Sequence, residues 1–134
     1  MRLRSALHIL LILIALACTR EVLAAETNLP PAAKLSVTNL LAHKSEYKGK
    51  RVEVTGYYLS YFECNKLSQH QGDSDESSIW VHLWRVKPGH EKQIKTVTKG
   101  QVRVTGTFDF KDTGSGHLGM WAAEITDLEL FEPL

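Results

Sequence analysis

The chain has 134 residues, 43% hydrophobic and 23% charged, with a formal net charge of +1. That length suits one domain, and the composition excludes both a disordered polymer and a bundle of membrane spans. Near-neutral charge excludes a strongly electrostatic nucleic-acid binder, and two cysteines are too few for a disulfide-built miniprotein or a four-cysteine zinc site.

Residues 1–25 read as a secretory signal peptide. Arg2 and Arg4 supply a basic start, Ile9 to Ala17 an apolar run, and Val22-Leu23-Ala24-Ala25 the small residues of a cleavage site. The run is shorter than the ~20 residues of a membrane span. Ala15-Leu16-Ala17 before Cys18 also resembles a lipoprotein site, but it lacks the usual leucine three residues before the cysteine, so cleavage near Ala25 is preferred. Losing Arg2, Arg4, Arg20 and Glu21 takes the net charge from +1 to −1. Cys64 then remains as a lone cysteine in an oxidising compartment, with burial, a reactive thiol and a disulfide-linked dimer as its alternatives.

Residues 26–35, with Pro30-Pro31, read as an extended linker, and 36–134 as the domain. Ser36 has the character of an N-cap for a short helix with Val37, Leu40 and Leu41 on one face, ending near Tyr47 before Gly49. The run from Arg51 to Phe62 alternates, with Val52, Val54, Tyr58 and Phe62 on a buried face and Gly56 as a bend. A polar loop is expected from Asn65 to Ser78, then a strand over Ile79–Trp84 ended by Pro88-Gly89. Glu91 to Lys99 is weakly helical at best. Gly100 to Phe110 repeats the first strand's pattern, Val52-Glu53-Val54-Thr55-Gly56 against Val102-Arg103-Val104-Thr105-Gly106. A glycine-rich turn, Thr113 to Gly119, leads to a last strand over Met120–Phe131, whose phase change predicts a bulge near Asp127.

Strands with internal glycines and one intervening irregular or helical connection predict a mainly β fold, a small OB-type five-stranded barrel with a short N-terminal helix. The segments Tyr47 to Gly56 and Lys99 to Gly106 resemble the tRNA-anticodon-like OB-fold family of exported bacterial proteins. That resemblance spans roughly Leu35 to Leu130. It implies architecture and carries no catalytic signature.

The predicted site is an aromatic surface. With Ile79, Val81 and Leu83 inward, Trp80, His82 and Trp84 face outward, and Tyr57 and Tyr61 share that side of the first strand. OB folds bind across this face and its flanking loops, which adds His117 of the glycine-rich turn. The competing reading turns the tryptophans inward or covers them with the N-terminal helix. Gly114-Ser115-Gly116-His117-Leu118-Gly119 fits G-x-G-x-x-G, but a strand follows rather than a helix, so the glycines read as turn residues. Cys64, His70, His82, His90 and His117 show no metal-ligand spacing, and Asp73, Asp75 and Glu76 lack the glycine and distant glutamate of a calcium loop. Neither a metal nor a cofactor is expected, nor an enzyme, since no nucleophile elbow or phosphate loop is present.

The resulting expectation is a periplasmic or secreted, non-catalytic binding module for an envelope protein, peptide or glycan. The alternative is a single-stranded nucleic-acid-binding OB domain, disfavoured by the acidic mature charge.

Overall fold

The computed structural model describes residues 29–134. The leader, its cleavage site and Cys18 lie outside the described residues. The chain divides after Pro31, and the domain is Ala32–Leu134. Its elements in order are β1 (Ala33–Ser36), α1 (Val37–Ala42), α2 (Lys44–Tyr47), β2 (Arg51–Tyr61), β3 (Cys64–Ser68), β4 (Ile79–Val81), β5 (Lys99–Asp109) and β6 (Ala123–Pro133). The sheet order is β1-β2-β3-β4-β6-β5, and a further pairing of β2 with β5 closes it. Five strands therefore form a closed barrel of OB type, with β4 and β6 parallel and β1 as an added strand.

The sequence echo explains the closure. β2 and β5 run antiparallel with Val54 opposite Val104, which places Gly56 opposite Val102 and Gly106 opposite Val52. Each glycine sits where a neighbouring strand crosses closely. A Cβ on Gly56 would lie 2.6 Å from the Ser68 carbonyl oxygen, and one on Gly106 would lie 2.7 Å from that of Thr126. Gly56 is also where the edge of β2 changes partner, from β1 (Val52–Thr55) to β3 (Tyr57–Tyr61). Gly106 marks the register shift between β5 and β6. Asp127, with φ 48°, carries the predicted bulge on the facing strand.

Val52, Val54, Tyr58, Val102, Val104, Phe108, Ile125 and Phe131 fill the barrel with full burial. Tyr58 meets Phe131 edge-on at 4.9 Å and donates its hydroxyl to Asn65 Oδ1 at 2.9 Å. Burial pushes that phenol up to about 12. Ser36 caps α1, its hydroxyl accepting from Asn39 N at 3.2 Å, and Val37 and Leu40 close one side of the core. His43 separates α1 from α2, so the predicted helix is two short pieces.

Four further expectations change. The linker ends early, because residues 33–35 pair with β2 as a parallel strand. Phe62 is not on the buried face, being 86% exposed, because β2 stops at Tyr61 and the chain reverses through Glu63 at φ 54°. The expected loop from Asn65 begins instead as β3, which pairs with β2. The second predicted strand is shorter, ending at Val81 where Leu83 N turns back onto the Val81 carbonyl. Beyond it, residues 82–98 run irregularly along β6, with one 3-10 turn at Glu91–Gln93.

Candidate ligand-binding face

β4 is the central strand of this face. Trp80 stands in register with Lys66 of β3 and Glu124 of β6, and period-two alternation turns all three away from the barrel interior while Ile79 and Val81 fill it. The predicted outward direction of Trp80 holds. Its exposure does not, since the side chain is only 2% accessible. The cover is the glycine-rich segment 113–121, not the N-terminal helix.

This strap crosses directly over Trp80. A Cβ on Gly116 would lie 2.5 Å from Trp80 Cβ and 2.6 Å from Trp121 Cδ1. The His117 ring stacks on Trp80 at 5.8 Å with a 26° tilt, and Trp121 packs against it at 5.2 Å. Ser115 and Trp121 close the strap's ends through paired backbone hydrogen bonds. Gly114, Gly116 and Gly119 all have positive φ, which glycine adopts without a Cβ penalty, and Leu118 is held there too at φ 58°. The glycine motif is thus a tight turn with one 3-10 turn, His117–Gly119, leading into β6.

Glu124 fastens the strap. Its Oε2 accepts from Gly116 N at 2.9 Å and from His82 Nε2 at 3.0 Å. Burial pushes this carboxyl up, but the hydrogen bonds from His82 and Gly116, with the charges of His82 and Lys111, outweigh it and leave its pKa below the ordinary 4.5. A depressed folded value means Glu124 stabilises the fold fully above 4.5 and loses that contribution as pH falls through the lower folded value. Glu129, buried but hydrogen-bonded by Arg51 and Lys87, shifts the same way. Urea midpoints measured against pH are therefore expected to fall on acidification below about pH 4.5, less steeply in Glu124→Gln. Equal slopes in the two proteins would remove this role from Glu124.

The other predicted residues distribute around Trp80. Trp84 is 65% exposed, its ring 6.0 Å from Trp80 and 5.5 Å from His82. Tyr61 is 60% exposed beside Cys64, and the hydrogen bond of its hydroxyl to that thiol pushes the phenol up. His117 reaches Glu63 at 3.8 Å, joining the strap to the β2–β3 turn. Tyr57 is half-buried farther along β2, opposite Ser68 and Gln101, and makes no ring contact with this group among the described residues. The face therefore gathers Tyr61, Trp80, His82, Trp84 and His117 but not Tyr57.

Residue-by-residue reading did not place Trp121, Glu124 or Glu63 here, nor Cys64, which packs at 3% exposure with Trp80 and Trp121. Burial pushes the Cys64 thiol up, so the thiolate is disfavoured, and a disulfide to another chain would first have to uncover the sulfur. Three of the four buried side-chain polar atoms without a partner among the described residues lie on this face: Trp80 Nε1, Trp121 Nε1 and His82 Nδ1. An unmet buried donor costs about 1–3 kcal/mol. Among the described residues no three His, Cys, Asp or Glu side chains are grouped so as to hold a metal.

Directly above Trp80 the space is filled by the strap. A cleft of about 530 Å³ lies instead beside β1, between Lys34, Glu53, Gln69 and Arg103. Its polar lining is occupied by ion pairs of Glu53 with Lys34 and Arg103. No protein-family model, curated protein or solved structure matches the chain.

Proposed function

We propose that this domain is an exported, non-catalytic binding module that holds a protein, peptide or glycan on the outer face of β4 and its flanking loops. The observation that carries it is the distribution of exposed apolar groups. Between Ala32 and Leu134 the large exposed hydrophobic side chains are Tyr61, Phe62, Trp84, Leu118, Met120 and the terminal Leu134. All but Leu134 belong to the segments that surround Trp80. Apolar side chains gathered this way around tryptophans mark an interaction site rather than scattered surface. Export rests on the basic, apolar and small-residue pattern of 1–25, and a periplasmic or secreted location with it. Membership of the tRNA-anticodon-like OB-fold family rests on the two Gly-containing strand motifs.

The acidic side chains near the face weigh against the nucleic-acid reading. Glu63 and Asp75 lie near Tyr61, Cys64 and His117. A phosphate backbone would meet repulsion there.

Calorimetric titration with peptides, neutral oligosaccharides and oligothymidylate tests the reading. Whichever ligand binds, Trp84→Ala is expected to weaken it roughly thirty-fold or more, the effect of removing an interface tryptophan. Binding that ignores Trp84 would move the site elsewhere.

A further inference from the structure

We propose that the aromatic face takes a proline-rich segment of a partner protein, extended as a left-handed polyproline helix and flanked by lysine or arginine. The inference rests on the outer face of β4 being the binding face, and it names the ligand.

The shape comes first. Polyproline helices present apolar ridges that fit between aromatic side chains, and their preformed conformation makes ordering inexpensive. Here Tyr61 and Trp84 stand exposed around the Trp80 cluster, with Phe62 and Leu118 beside them in the β2–β3 turn and the strap. Those aliphatic and phenyl groups, with Met120, suit prolyl and other apolar side chains. They offer the hydroxyls of a sugar no partner.

Hydrogen bonding gives an independent argument. A polyproline helix makes no internal hydrogen bonds, so its carbonyls all need donors. Trp80 Nε1 and Trp121 Nε1 are donors that no acceptor among the described residues satisfies. His82 Nε2 is engaged by Glu124, and its buried Nδ1 is left without a partner, open to a polar group of the segment's backbone. The His117 ring, stacked on Trp80, occupies the place a prolyl ring would take. Binding displaces that ring and opens the strap over Trp80.

Charge fixes the flanks. Glu63 and Asp75 lie on the Tyr61 side of the face, whereas Glu76 shares the Met120 cleft with Asp112 and two lysines. Lys66 is committed to Asp75 at 3.3 Å and to the Asp73 carbonyl at 2.7 Å. Lys44 and Lys111 lie farther along, on the cleft beside Met120. A basic flank therefore belongs at the Tyr61 end.

The test is calorimetric titration of the purified protein with a lysine-flanked decaproline peptide, its glutamate-flanked counterpart, a neutral oligosaccharide and oligothymidylate. Saturable binding of the lysine-flanked peptide is expected, at least tenfold weaker with glutamate flanks and at least tenfold weaker in Trp84→Ala. Trp84→Phe, which keeps a ring, should recover most of the affinity, and circular dichroism checks that each variant folds. No saturable binding of the lysine-flanked peptide, or equal binding to Trp84→Ala, overturns the inference. Trp84-dependent binding of the sugar or oligonucleotide without the peptide overturns it while leaving the face as a binding face. Absence of Trp84-dependent binding by every ligand overturns both.

Discussion

Gly116→Ala unseats the strap and opens Trp80 to water. Two effects act together at this position. Its backbone, at φ 65° and ψ −157°, lies in a region open essentially to glycine alone, where another residue is strained by about 1–3 kcal/mol. The added methyl would also stand 2.5 Å from Trp80 Cβ, and that atom is fixed by the β4 backbone and cannot move aside. The strap must yield, because it is a loop anchored by few hydrogen bonds while β4 is paired on both sides. Tryptophan emission is expected to shift to the red and acrylamide quenching to increase markedly, with the barrel's far-ultraviolet dichroism retained. A comparison in a Trp84→Phe background removes the indole that is already exposed and isolates Trp80 and Trp121. Unchanged quenching there would mean that the strap does not govern access to the buried indoles.

Gly56→Ala and Gly106→Ala act on the whole domain rather than on one loop. Neither glycine needs an unusual φ, so conformational freedom is not the issue; space is. At Gly56 a Cβ would meet the Ser68 carbonyl oxygen at 2.6 Å and Val37 Cγ2 at 2.9 Å. At Gly106 it would meet the Thr126 carbonyl oxygen at 2.7 Å and Ile125 Cγ2 at 2.8 Å. The opposing atoms are backbone of paired strands and buried β-branched side chains, which have no alternative position in a filled core. Each substitution is expected to cost about 2–3 kcal/mol, lowering the urea midpoint by about 1–2 M. Gly49→Ala supplies the contrast. There φ is 72° but a Cβ meets nothing within 4 Å, so only the left-handed backbone is penalised, at about 1 kcal/mol. If Gly56→Ala and Gly106→Ala cost no more than Gly49→Ala, the close strand crossings do not limit closure of the barrel.

The echo of Val-x-Val-Thr-Gly shows how much of this fold is written locally. Both copies read as bent strands, and their antiparallel pairing about Val54 and Val104 turns the two glycines into corners of one barrel. Ser36 as a cap, the bulge at Asp127 and the turn at Gly114–Gly119 were equally legible, since each depends on side-chain or backbone chemistry within a few residues. β3 was not legible. Its hairpin turns through Phe62-Glu63, without the glycine or asparagine that marks a tight turn, and Lys66 sits buried by pairing with the distant Asp75. Polar letters at such positions look like loop until the partner is known.

Trp80 draws the boundary most clearly. Alternation along 79–84 determined that Ile79 and Val81 enter the barrel and that Trp80 points away from it, because successive residues of a strand take opposite faces. Whether an outward residue is wet depends on what else folds over it, and the strap that covers Trp80 comes from more than thirty residues downstream. The same holds for Tyr57, which shares a strand face with Tyr61 yet lies apart from the aromatic group, and for Trp121, Glu124 and Glu63, which join it only through tertiary contacts. The sequence by itself determined the barrel class, its glycine corners and the outward direction of Trp80. Only the tertiary structure decided which aromatic side chains were buried, which were exposed and which donors were left unpaired, because local periodicity encodes direction while cover and partnership are set by segments distant in the chain.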